Sequence, residues 1–233
     1  VRSAFYFLNE QPVRSRPRSD LTALETLIEI VGRYDVRDPA IRRVVRRLDR
    51  GGWEVGLHGS YHTASNRERL AEEKARIESV LGHDIAGGRQ HYLRFDEPET
   101  WQHYRDLGLA YDTSLGSTEE YGFLHGYDVR RPFDDEFVVF PLTLMEQTLP
   151  DPGERFEAAW AACESLLTEA RANEAVMTTL FHPRLFAPDE FPGYQRLYRR
   201  LIERALDMGG WVGPPGEFYS EFLAADDAPS IQI

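Results

Sequence analysis

The chain has 233 residues, 42% hydrophobic and 28% charged, enough for one sizeable globular domain and incompatible with wholesale disorder. Its net charge of −12 repels phosphate backbones and argues against a nucleic-acid partner. No apolar run reaches the ~20 residues of a membrane span, and the single cysteine, Cys163, excludes an internal disulfide.

Ser3–Leu8 (SAFYFL) predicts a buried strand. No leader pattern is legible ahead of it, which favours the cytoplasm slightly and leaves export open. A strand this close to Val1 predicts a chain that was processed or is a fragment of a longer one. Asn9–Asp20 is rich in Pro, Arg and Ser and predicts a loop, while Leu21–Val31 fits no single period. Asp38-Pro39 opens a helix through Leu48 that Gly51-Gly52 ends. Glu54–Leu57 predicts a strand leading into His58. Asn66–Leu81 predicts a helix, with Leu70, Lys74, Ile77 and Leu81 at helical spacing and Gly82 as its stop.

Further along, Arg89–Arg94 predicts a short strand or strand-like turn, Glu97–Leu107 a helix and Ala110–Asp112 a strand. Gly116–Asp135 predicts a long loop. Phe137–Phe140 predicts a strand capped by Pro141. Asp151–Ala172 predicts a helix, Val176–His182 a strand and Asp189–Asp207 a helix. Trp211–Val212 predicts the start of a last short strand, Phe218–Leu223 a brief helix, and Ala224–Ile233 a frayed tail. Residues 1–223 are thus expected to form one α/β domain, a closed or nearly closed barrel of parallel strands with crossover helices.

Chemistry in such barrels sits where strands end. Four of the seven histidines fall there: His58, His62, His91 and His182. His58 and His62 are four residues apart. A helical turn would put both imidazoles on one face, able to bind one divalent metal. Spacing alone leaves open a pair of loop histidines with no ligand. His182, held by Pro183, is placed to act as a general acid or base, or to bond a rim neighbour. Arg89 can orient a carboxylate or be a surface arginine. Asp112 can orient His or Arg, or cap the turn at Thr113-Ser114. Cys163, within an amphipathic helix, reads as core. No Gly-x-Ser-x-Gly elbow or phosphate-binding glycine loop occurs.

These pieces resemble the polysaccharide deacetylases, the NodB-homology domain of carbohydrate esterase family four. GGWEVGLHGSYHT resembles the family's second motif, in which a strand ends in two metal-binding histidines. SAFYFL resembles its ATFF strand, GGRQHYLRF lies where it has an arginine motif, and TLFHP resembles its last motif. The resemblance implies a distorted (β/α)7-type barrel with its first strand missing. It implies a divalent metal, most often zinc, bound by His58 and His62, with His182 as general acid. Arg89 would orient the catalytic aspartate, and Asp112 would support the site. The substrate would be an N-acetylated glycan, and its acetamide C–N bond the one hydrolysed.

The sequence departs from the family at two points. The Asp pair of the first motif, which supplies the base and a third ligand, is absent. The arginine motif reads Arg-Gln-His-Tyr, which makes His91 and Tyr92 candidate substrate contacts and leaves His91 open as an extra ligand. The alternative is an inactive deacetylase-like barrel that binds glycan or a protein partner.

Overall fold

A computed structural model describes residues 1–9 and 34–224. Most of the expected Asn9–Asp20 loop, the Leu21–Val31 segment and nearly all of the tail lie outside the described residues.

Five strands run parallel in chain order: β1 (Ala4–Leu8), β2 (Glu54–Gly59), β3 (Gly87–Gln90), β4 (Tyr111–Asp112) and β5 (Val138–Val139). A second parallel pair joins β6 (Leu142–Met145) to β7 (Thr178–Leu180). Only Phe140 and Pro141 separate β5 from β6, so one extended run passes from the first sheet to the second. The expected strand at Phe137–Phe140 therefore continues past Pro141. Proline cannot donate to a ladder, but its neighbours still do. Phe140 N–H donates to Asp112 O at 2.9 Å and Leu142 N–H to Leu115 O at 2.7 Å.

Helices connect the strands. α1 (Pro39–Arg50) is capped by Asp38, which accepts from Ala40 N–H at 2.8 Å. α2 (Arg67–Leu81) is capped by Asn66, which accepts from Arg69 N–H, and ends at left-handed Gly82. α3 spans Glu99–Asp106, α4 Phe156–Ala172, α5 Tyr194–Asp207 and α6 Pro215–Phe218, which widens into a turn over Tyr219–Leu223. Leu57, Leu70, Ile77, Trp101, Tyr104 and Val139 pack the first sheet against α1–α3. Leu144, Trp160, Cys163, Leu197 and Leu201 pack the second against α4 and α5. Cys163 is core, and burial pushes its thiol up to about 12.

Four expectations need correction. Trp211–Val212 is not a strand. Glycines and prolines flank it, and Trp211 instead packs on Phe218 and Phe222 at 5.5 and 5.8 Å between ring centroids. α4 starts at Phe156 because Asp151 folds 151–155 into a turn, accepting from Gly153 N–H at 2.7 Å. α5 starts at Tyr194, after Pro192-Gly193. The short strand or strand-like turn expected over Arg89–Arg94 divides: the strand lies earlier, at Gly87–Gln90, and a tight turn spans His91–Leu93.

Candidate active site

The C-terminal strand ends bring the candidate residues to one rim. β2 carries His58. β1 and β3 flank it, pairing Leu8 and Arg89 with His58. His58 Nδ1 lies 3.0 Å from the carbonyl oxygen of Arg89. A carbonyl only accepts, so Nδ1 carries the proton and Nε2 presents a lone pair. Burial is the main cause that pulls the His58 pKa down to about 3, and the positive charges of His91, Arg89 and His182 add to it. His58 is therefore neutral at physiological pH.

Just past β2, Gly59 fits because a Cβ there would come within 2.5 Å of Gln90 Oε1 and 2.7 Å of Thr63 Oγ1. Ser60 is tied to α2. Its N–H and hydroxyl donate to the two oxygens of Glu73 at 3.0 and 2.6 Å, and Glu73 is fully buried. His62 follows in this turn, packed edge-on against Tyr61 at 5.2 Å.

Arg89 is nearly buried. Its Nε–H donates to Thr113 O at 3.0 Å, and its guanidinium lies over the Tyr6 ring. Asp112 is fully buried. It accepts from Ser114 N–H and hydroxyl at 2.9 and 2.6 Å and from Trp101 Nε1–H at 3.2 Å. Of the two roles open to it, these bonds are those of a turn cap. Its charge still attracts Arg89. Ser114 Oγ in turn accepts from Gln90 N–H at 2.8 Å, so Asp112 steadies the end of β3. His91 follows, with Nδ1 3.3 Å from His58 Nε2. Tyr92 is 57% exposed and adopts a left-handed backbone at φ 57°.

The second sheet supplies His182, whose Nδ1 lies 2.5 Å from Glu146 Oε1. Glu146 is fully buried at the end of β6, and its Oε2 has no hydrogen-bond partner among the described residues. Its charge attracts Arg89, and His182 acts on His58. The two sheets thus share one electrostatic neighbourhood. Sequence reasoning missed Glu146. Its signal was present: an apolar run, Leu142–Met145, ending in a charged residue. The missed strand hid it.

His58 has the donor chemistry for a borderline divalent metal, a neutral imidazole whose tautomer is fixed by a backbone carbonyl. Among the described residues, however, no three His, Cys, Asp or Glu side chains form a group that could hold a metal ion.

The architecture and rim together define a polysaccharide-deacetylase (NodB-type) fold, a distorted (β/α)7-type barrel. Solved structures bear this out. The chain matches a protein described as a polysaccharide deacetylase from Mycobacterium smegmatis at TM-score 0.58 and 19% identity, over 79% of this chain and 68% of that one. It matches the allantoinase Puue at TM-score 0.56 and 21% identity, over 81% of this chain and 65% of that one. It also matches a GH57 branching enzyme from Thermococcus kodakaraensis at TM-score 0.53 and 13% identity, over 78% of this chain and 49% of that one. The chain thus spans from about half to two thirds of these neighbours' lengths. No protein-family model and no curated relative matches the sequence.

Proposed function

We propose that the chain belongs to a metal-dependent hydrolase that removes acetyl groups from N-acetylated sugars of a glycan. One observation supports this reading: the His182–Glu146 pair at the end of the second sheet lies within electrostatic reach of His58 and Arg89 at the end of the first, in a deacetylase-type fold. The acetamide is the favoured target because a neutral imidazole ligand, a carboxylate-backed histidine and a buried guanidinium suit acyl transfer to water.

In this reading a divalent metal, with zinc the favoured ion, is held through His58, and His62 keeps the spacing of a second ligand. When bound, it supplies Lewis acidity that polarises an acyl carbonyl and acidifies water. The chain's own residues do the rest. His182, oriented through Nδ1 by Glu146, gives a proton from Nε2 to the departing sugar amine. Arg89 holds positive charge behind the rim. Asp112 fixes the turn that positions the end of β3. Tyr92, exposed beside His91, offers an aromatic face to a sugar ring.

The test is release of acetate from N-acetylglucosamine oligomers by zinc-loaded protein, with His182→Ala as control. Acetate release that depends on His182 supports the reading. Oligomer binding without acetate release in the zinc-loaded protein overturns it in favour of a glycan-binding barrel. Hydrolysis of allantoin but not of the oligomers moves it to another amidohydrolase of this fold.

A further inference from the structure

We infer that the outer face of α1 docks the protein on an anionic lipid surface, a role independent of the hydrolase reading. α1 carries Arg42, Arg43, Arg46, Arg47 and Arg50, and all five are exposed. At about 100° per residue they fall within one arc of about 140°, over about 12 Å of helix. The opposite side is apolar: Val45 is buried, and Ile41 and Leu48 pack on the core.

In a chain of net charge −12 this face is a local reversal of sign. Other helices pair their basic residues with acids: Lys74 with Glu78 and Arg76 with Glu72 on α2, and Arg204 of α5 with Glu164 of α4. Among the described residues, none of the five arginines of α1 makes an ion pair. The carboxylates of the helix and its cap are engaged elsewhere. Asp38 accepts from Ala40 N–H, and Asp49 lies 3.0 Å from His83 Nε2. Arg46 is anchored through its Nε–H to Val80 O at 2.8 Å, a contact that leaves its charge unmatched. Arg2 extends the face past the helix end. Its guanidinium lies over Gly52, where a Cβ would come within 2.6 Å of Cζ.

The shape and the flanks of this face select the partner. It is the convex outside of a helix, bordered by apolar groups. Val44, one turn from Arg47, is 50% exposed, and Trp53, its ring against Gly51 at the helix end, is 37% exposed. Basic side chains beside exposed aliphatic and indole groups suit the headgroup layer of a bilayer. A nucleic-acid strand calls for a groove with aromatic platforms for its bases, and a convex arginine face offers none. A planar partner also meets only this side of the molecule. At physiological salt, exposed charges beyond about 8 Å are largely screened, so the acidic remainder of the chain repels it little.

The experiment is co-sedimentation of the chain with vesicles of equimolar phosphatidylglycerol and phosphatidylcholine at ~0.15 M salt, against vesicles of phosphatidylcholine alone. Binding is expected to the anionic vesicles only, and to be lost at ~1 M salt, where the screening length falls to about 3 Å. Each basic residue near an anionic surface strengthens binding about fivefold. The triple variant Arg43→Gln, Arg47→Gln, Arg50→Gln should therefore bind about 100-fold more weakly with its urea midpoint little changed. The triple variant Arg43→Lys, Arg47→Lys, Arg50→Lys keeps the charge and should bind within a few-fold of wild type, which separates charge from any loss of fold. The inference is overturned if the wild type ignores anionic vesicles, if the glutamine variant binds as tightly, or if the lysine variant loses binding as the glutamine one does. Capture of a single-stranded oligonucleotide without vesicle binding would overturn it in favour of a soluble polyanion. Acetate release enters none of these readouts, so either result leaves the hydrolase reading where it stands.

Discussion

Nδ1 of His182 and Oε1 of Glu146 stand 2.5 Å apart, the histidine side chain 39% exposed and the carboxylate fully buried. They sit at the ends of β7 and β6, which pair in parallel, so the register of the second sheet brings them together. A carboxylate on Nδ1 fixes the tautomer and supports the imidazolium, leaving Nε2 to exchange a proton. Glu146→Gln is expected to lower the kcat of acetate release by about 10²-fold or more, within the range that a positioned acid supplies. Metal content and KM should change little. A wild-type kcat in a folded Glu146→Gln protein would remove His182 from acid catalysis.

Glu73 anchors the turn between His58 and His62 from below. Glu73→Leu would leave Ser60 N–H and hydroxyl buried without their acceptor. Such losses cost about 1–3 kcal/mol per group, read as a fall in the urea midpoint. Glu73→Gln can keep both contacts if the Ser60 hydroxyl accepts from the new amide, so it should lose much less. Equal losses in the two variants would show that volume, not hydrogen bonding, holds this turn.

The strand–helix alternation was legible because each element carries its own punctuation. Asp38-Pro39, Asn66 and Gly82 act in the structure as they read in the sequence. His58, Arg89 and His182 do lie at or just past the C-terminal ends of β2, β3 and β7. What the sequence hid was long-range. Pro141 reads locally as a strand stop, but it occupies the place where a run leaves one sheet for the next, so β6 and Glu146 went unseen. The His58–His91 approach depends on the register between β2 and β3, which no spacing along the chain encodes. Asp112 shows the converse. Both of its roles were readable, and only the partners of its oxygens selected the cap.

Gly59 brings the backbone of β2 close to the Gln90 side chain of β3. A Cβ would fall 2.5 Å from Gln90 Oε1 and 2.7 Å from Thr63 Oγ1, both of them engaged in one hydrogen bond. Gly59→Ala must therefore break that bond or shift the turn, at about 1–3 kcal/mol. Metal affinity should fall as well, because the turn connects His58 to His62. A variant with unchanged urea midpoint and unchanged Co²⁺ affinity would show that the crowding is relieved without cost.

Tyr111 bridges two polar groups in the barrel interior. Its hydroxyl donates to Glu54 and lies 3.1 Å from the Tyr6 hydroxyl, while Glu54 also accepts from the N–H of Gly216, in the first turn of α6, at 2.8 Å. Burial raises the Glu54 pKa above its usual 4.5, and the Tyr111 bond opposes that rise. Tyr111→Phe removes the opposition, so Glu54 should hold its proton to higher pH in the folded variant. A carboxyl that binds its proton more tightly folded than unfolded loses stability as pH rises from the unfolded value through the folded one. The deficit of Tyr111→Phe should therefore be smaller at pH 4.5 than at pH 8, where the loss of a hydrogen bond to a charged group is about 1.5–3 kcal/mol. Urea midpoints at the two pH values measure this, and a deficit that does not grow with pH would mean that Glu54 is not the group that titrates.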